Sequence, residues 1–361
     1  CVKNANGQQA NETNRFFQIA FLALTIVSFV GGCASKQIKS VSLENEMFTS
    51  SAIDMHYHAS MPFTPEEMPI PFPEIQNLLN CAPQDAARII AKNMNDGGIG
   101  LILLMGQTGI PGDPLGINRN LEIASYLPSD RIKLIAAVDP RKTKLEGHLE
   151  AARKQLETHK DKIVAFKCYT CFHGNPLDPG YLPYYDLAME YNLPVIFHSG
   201  TAHGKFYVKD CTAHTIDQVA VNYPELKIVI AHSSNPLYKE AAQVASKNNN
   251  VWLDVSALVE VGYDLPGWQT QEQFDAMMAR DALPDALPYF IINDYLEALA
   301  YLNKYDRILF GSDFAICSPR NARRFWERVI PKEHHAKVFR ENAEKVFGVD
   351  IPDTYAELDS F

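Results

Sequence analysis

Eight short apolar runs, rich in β-branched residues, recur along most of this chain, and each is followed by a stretch of different periodicity. The runs cover residues 53–58, 99–105, 132–138, 163–167, 195–198, 228–232, 251–255 and 308–313. None alternates cleanly between apolar and polar, as expected of strands covered on both faces. Between them, residues 84–95, 145–159, 184–191, 215–222 and 237–247 carry apolar side chains at helical spacing. Strand–helix repetition of this kind predicts a parallel sheet with helices outside it, and eight such units close naturally into a (β/α)8 TIM barrel. A chain of 361 residues accommodates that barrel as a single domain. The alternative is an open doubly wound sheet. Against it, no glycine-rich phosphate loop follows the first run.

Three connections are long. Residues 59–83 contain Pro62, Pro65, Pro69, Pro71 and Pro73 and cannot form regular helix. Residues 169–183 hold Gly174, Pro176, Pro179 and Gly180, and residues 260–288 hold Tyr263, Trp268 and Phe274. All three follow strands, so they are expected over the carboxyl-terminal mouth of the barrel, where long loops shape a substrate pocket.

The amino-terminal part differs. Residues 16–30 form an almost unbroken apolar run preceded by Arg15. The run is shorter than the roughly 20 residues of a membrane-crossing helix and suits a signal-peptide core of about 7–15. It ends in Val30-Gly31-Gly32-Cys33, which resembles a bacterial lipobox. On this reading residues 1–33 are a signal peptide ending at the lipidated Cys33, 34–51 a polar tether and 52–361 the barrel. Ala34 rather than Asp after the cysteine fits an outer-membrane destination. The expected location is the bacterial cell envelope, lipid-anchored and facing the periplasm, or the cytoplasm if the leader is not used. A single membrane anchor is the competing reading. A net charge of −10 with no basic block argues against a nucleic-acid partner. The expected partner is a small-molecule substrate, and self-association is left open. The cysteines give no complete disulfide framework, and Cys168-x-x-Cys171 lacks the second pair that a zinc ribbon needs.

Candidate chemistry sits at the strand ends. His56 and His58 are two apart, so in a strand both imidazoles point to one side and can share a cation; neutral imidazoles suit zinc and its first-row neighbours. Asp54 has the same parity one step deeper, as a partner orienting a histidine or as a buried hydrogen-bonded carboxylate. His198 ends the fifth run, His232 the sixth and Asp313 the eighth. Any one of these has a structural explanation, a satisfied histidine or a helix-capping Asp. Together they place five metal-ligating side chains at one end of a barrel, the end where barrel chemistry sits.

His-x-His, a fourth-strand Lys, then His, His and Asp on later strands resemble the amidohydrolase superfamily. More narrowly they resemble its amidohydrolase-related branch of metal-dependent hydrolases and decarboxylases. Its wording recurs in NLPVIFHSG, TIDQVAVNYPELKIVIAHSSNP, RILFGSDF and ENAEKVFG, and the likeness spans about residues 53–347. The resemblance implies a divalent metal cofactor, foremost Zn2+, as one or two ions. It implies His56, His58, His198 and Asp313 as metal-site residues, and His232 as a second-metal ligand or a group polarising the substrate. Lys167 would be a carboxylated bridge between two metals, a ligand for a substrate carboxylate, or part of a structural ion pair. The metal would lower the pKa of water from about 15.7 toward neutrality. Asp313 would accept the proton and pass it to the leaving group, and His232 would help stabilise the oxyanion.

Hydrolysis of an amide, ester or lactone is the first expectation. Decarboxylation of a carboxylate substrate is the second, with Lys167 and Arg320 as the cations it requires. A catalytically dead binding barrel is the third, and the intact donor set argues against it. Ser233 and Ser312 lie in no G-x-S-x-G elbow. His173, His203 and His214 follow strands and are lesser pocket candidates, and His334-His335 is expected at the surface.

Overall fold

The apolar runs become eight parallel strands because each can be covered on both faces, and they pair in chain order around one sheet. The structure is a computed structural model and describes residues 48–60, 79–200, 206–258 and 289–358. The leader with Cys33, most of the tether, His203 and most of two mouth loops, 61–78 and 259–288, lie outside the described residues.

In chain order the elements are β1 (Ala52–Tyr57), α1 (Pro83–Gly97), β2 (Ile99–Met105), α2 (Asn118–Ala124), β3 (Ile132–Val138) and α3 (His148–Thr158). Then come β4 (Ile163–Cys168), α4 (Leu182–Glu190), β5 (Val195–Phe197), α5 (Ala213–Asn222), β6 (Ile228–Ile230) and α6 (Tyr238–Lys247). The last are β7 (Val251–Asp254), α7 (Tyr289–Leu302), β8 (Ile308–Leu309), α8 (Pro319–Val329) and α9 (Asn342–Phe347). This is the expected (β/α)8 TIM barrel. Closure falls just beyond β8, where Phe310 O accepts from Met55 N at 3.1 Å and Phe314 O accepts from His58 N at 3.0 Å.

Two apolar clusters follow from the strand pleat. One face of the strands supplies Ile53, Met55, Leu103, Met105, Ile135, Ala165, Ile196, Val229 and Leu309 to the barrel interior. Val346, Phe347 and Ile351 close the floor of that interior from the carboxyl-terminal segment. The other face packs on the helices, as where α1 buries Ala86, Ala87, Ile90, Ala91 and Met94 along one stripe.

Five strands end earlier than the sequence suggests, β1 and β7 by one residue each. β5, β6 and β8 stop before His198, His232 and Asp313. After β6, the residues His232, Ser233 and Ser234 take φ of 57°, 44° and 61°, and Asp313 takes 57°. Left-handed backbone cannot continue a strand, and non-glycine residues hold it only where surrounding contacts impose it. α8 opens on a side-chain cap: Ser318 Oγ accepts from Asn321 N at 3.2 Å ahead of Pro319 in the first turn. The last expected tether residues belong to the barrel body. Ser50 bridges Thr354, and Ser51 N donates to Asp353 O at 2.7 Å. Among the described residues no helix is long and apolar enough to cross a membrane.

Arg323, 1% exposed, locks α8 to the amino-terminal end of the barrel. It donates to Gly97 O and Gly98 O at 3.0 and 2.8 Å, to Ser50 Oγ, and to Glu327 on its own helix. Replacing it with Leu removes these bonds and strands buried acceptors. We expect Arg323→Leu to cost about 2–4 kcal/mol in urea unfolding, with the slope unchanged.

Candidate metal centre

The first two candidate donors depend on an irregularity in β1. Ile53 and Met55 point into the barrel, so strict alternation would place Tyr57 there as well. Instead Tyr57 packs outward, its hydroxyl accepting from Asn93 of α1 at 2.8 Å. The register with β2 shifts between Asp54 and Tyr57. This β-bulge turns His56 inward directly after Met55, and His58 follows it. Asp54 therefore does not share their direction, contrary to simple parity. Its carboxylate accepts from Ser312 N at 2.9 Å, Ser312 Oγ at 2.6 Å and His56 N at 3.2 Å, tying β1 to the segment beyond β8.

That tie brings Asp313 to the two histidines. Asp313 Oδ1 lies 3.3 Å from His58 Nε2 and 3.6 Å from His56 Nε2, and Asp313 N donates to His56 O at 2.8 Å. Ligand atoms of one tetrahedral zinc, each about 2.0–2.2 Å from the ion, sit roughly 3.3 Å apart. The spacing of this trio fits a shared divalent cation. Lys167, fully buried on β4, brings Nζ to 3.4 Å from His56 Nε2. The His232 ring lies tilted against His56 with ring centres 4.8 Å apart, and its Nδ1 is 3.9 Å from Asp313 Oδ2. His198 reaches the group through His232, at 5.0 Å between ring centres. Its Nε2 is shielded from solvent and, like Nδ1 of His58, has no hydrogen-bond partner among the described residues. Buried ring nitrogens without partners are costly unless a ligand completes them.

Two residues absent from the sequence reading join the site. Asp254 ends β7, and its Oδ2 lies 2.7 Å from His56 Nδ1. Ser256 Oγ lies 3.0 Å from both His56 Nδ1 and His232 Nδ1. Asp254, His56 and His232 also form a second compact donor group. The contact of 2.7 Å is shorter than the ligand–ligand spacing above and has the length of a charge-assisted hydrogen bond. The available signal was an Asp inside an otherwise apolar strand, Val251-Trp252-Leu253-Asp254-Val255.

Burial sets the protonation states. It pushes the pKa values of His56 and His198 well below the ordinary histidine value, helped by the charge of Lys167 and neighbouring rings. It lowers His232 to about 4. Neutral imidazoles are the form that binds metal. Burial also raises Asp254, and it pushes Asp54 up to about 7 against its three hydrogen bonds. Burial would raise Asp313 too, but its contacts with His56, His58 and His232 outweigh that and hold the carboxyl well below the usual range.

The structure thus gathers His56, His58, Lys167, His198, His232 and Asp313. It does not bring Arg320 to them. A Cβ on Gly97 would lie 3.2 Å from the Arg320 backbone nitrogen, and Gly97 ends the helix leading into β2. Arg320 therefore sits at the amino-terminal end of the barrel, opposite the donors. His173 is buried beside Tyr169, while His214 is exposed on α5. His334 and His335 are half-buried rather than superficial, stacked on Tyr305 and set edge-on to Phe339. Ser233 and Ser312 are committed donors, to Asp254 O and to Asp54. Cys168 is a buried free thiol.

Comparison with known proteins agrees with this architecture. The family profile described as amidohydrolase matches residues 117–349, more than half of the chain. No curated protein matches. Among solved structures, an uncharacterised TIM-barrel protein from Bordetella bronchiseptica is 18% identical, with 82% of this chain and 98% of that one covered at a TM-score of 0.55. A dihydroxybenzoic acid decarboxylase from Polaromonas with bound manganese is 16% identical, covering 83% and 97% at 0.54. A dihydroorotase from Campylobacter jejuni is 15% identical, covering 87% and 88% at 0.51. At these identities the likeness concerns the fold.

The neutral imidazoles carry a pH consequence. The folded pKa of His232, about 4, lies below its ordinary value of 6.5, so between these the unfolded chain binds the extra proton. Stability is then fully present above about pH 6.5 and is lost as pH falls toward 4. For metal-free protein we expect urea midpoints to fall across this window, with His232 alone contributing on the order of 3 kcal/mol when fully titrated. His232→Gln should flatten the profile.

Proposed function

The chain belongs to the amidohydrolase family, and on that premise we propose that it is a metal-dependent hydrolase of small-molecule amides, esters or lactones. The observation that carries this reading is the convergence of His56 Nε2, His58 Nε2 and Asp313 Oδ1 at ligand spacing, with Lys167 Nζ against the same nitrogen of His56. These residues would hold a divalent cation, which when bound would supply Lewis acidity and lower the pKa of a water toward neutrality.

The side chains do the rest. Asp313, ionised and facing both His58 and His232, takes the proton of the attacking water and returns it to the leaving group. Ser256 Oγ lies 3.0 Å from His232 Nδ1 and donates to it, so the proton of the neutral ring sits on Nε2. That N–H is the group that polarises the substrate carbonyl. An ammonium at Lys167 would repel a divalent ion held by His56, whereas a carboxylated lysine would add an anionic donor. This supports carboxylated Lys167 and two ions. Zinc suits the donors, and the manganese in the Polaromonas neighbour supports testing that metal as well. The lipobox-like segment ending at Cys33 supports a lipid-anchored envelope location.

Decarboxylation is the second reading, favoured by the neighbour that carries that name. It needs cations around a substrate carboxylate, and the placement of Arg320 removes one of the two that the sequence offered.

Elemental mass spectrometry tests the metal. We expect two ions per chain, falling in Lys167→Ala. One ion in both proteins would favour the decarboxylase, and none after reconstitution would overturn the reading. Asp313→Asn should lower turnover by about 10²–10⁴-fold with substrate affinity kept, as measured by steady-state kinetics and calorimetry.

A further inference from the structure

We propose that Asp254 is a positioning residue that fixes His56 as its Nδ1-protonated tautomer and so turns a bare Nε2 toward His58 and Asp313. The inference rests on the reading of that trio as a metal site and names what holds its central ligand in register.

Both oxygens of Asp254 are used. Oδ1 accepts the backbone N–H of Ser256, and Oδ2 faces His56 Nδ1 at 2.7 Å. The residue is fully buried. A carboxylate here accepts at both oxygens, so the hydrogen between Oδ2 and the ring belongs to Nδ1. A neutral imidazole protonated at Nδ1 has its lone pair on Nε2, the nitrogen at 3.4 Å from Lys167 Nζ and 3.6 Å from Asp313 Oδ1. Asp254 thereby separates the two faces of one ring. The Nδ1 face is a hydrogen-bonded support, and the Nε2 face is the donor.

Ser256 extends the support. Its Oγ lies 3.0 Å from Nδ1 of His56 and of His232, so one hydroxyl spans the two imidazoles. Ser233 Oγ donates to Asp254 O at 2.7 Å and anchors the end of β7 beneath them. A ligand and its hydrogen-bonded carboxylate from a different strand form the arrangement that sets imidazole orientation and basicity in metal sites.

Asparagine is the informative substitution because it keeps size but cannot accept twice. With Oδ1 on Ser256 N–H, its amide would donate toward His56 Nδ1 and select the opposite tautomer, protonated at Nε2. Long-range ¹H–¹⁵N spectra of the metal-free, full-length chain, ¹⁵N-labelled at histidine and assigned with His56→Gln, read the tautomer directly. We expect wild-type His56 as Nδ1–H and Asp254→Asn as Nε2–H. Chelator competition should then show Zn2+ and Co2+ bound 10–100-fold more weakly in Asp254→Asn, with Asp254→Glu recovering part of the loss. An Nε2–H tautomer in the metal-free wild type overturns the inference without any variant. So does an unchanged tautomer or unchanged affinity in a folded Asp254→Asn. Failure of wild-type protein to bind either metal would overturn the reading of the trio instead, while the tautomer spectra would still decide the role of Asp254.

Discussion

The link between the first and last strands is the constraint on which the rest of the site depends. Asp54 takes both the backbone and the hydroxyl hydrogen of Ser312, and Asp313 N donates to His56 O. These bonds close the barrel where β8 has already ended. They also force Asp313 into left-handed backbone, which aims its carboxylate at His56 and His58. Closure of the fold and assembly of the donor trio are therefore one event. A carboxylate buried with three donors is costly unless all three bonds are made, so the closure tolerates little slack.

Much of the barrel was legible because a strand covered on both faces must be apolar throughout, and such runs stand out. β2 and β3 match their runs end to end. The strands that carry the candidate donors end earlier than their apolar runs, since His198, His232 and Asp313 leave the sheet, and local backbone strain has no composition signature. The spacing of His56 and His58 marks them in the sequence, but strand parity alone does not give them their common direction. A bulge after Met55 does the work, and the same bulge separates Asp54 from them. Arg320 misled through closeness in sequence. Its backbone nitrogen lies instead beside Gly97, at the end of the helix that leads into β2. Asp254 belongs to no histidine motif, so its only mark in the sequence is an ionisable residue inside an apolar strand.

Electrostatically, the site sets buried imidazoles against buried carboxylates. Desolvation keeps the histidines neutral, while contacts with them keep Asp313 ionised. Asp254 and Ser256 hold the rear of two rings, leaving their opposite edges for chemistry. A site organised this way has its geometry fixed by the protein before any ligand arrives, which limits the reorganisation that binding must drive.

The order of the donors along the chain has a consequence for biosynthesis. His56 lies on the first strand and Asp313 just after the eighth, 257 residues later. At about 5–20 residues per second, a ribosome takes roughly 13–50 s to travel between them. Throughout that interval the first two imidazoles exist without the carboxylate that joins them, and the residues of the barrel floor, Val346, Phe347 and Ile351, come later still. An emerging chain therefore carries the histidine pair without its third candidate donor, and any metal bound by all three residues would be taken up only after translation.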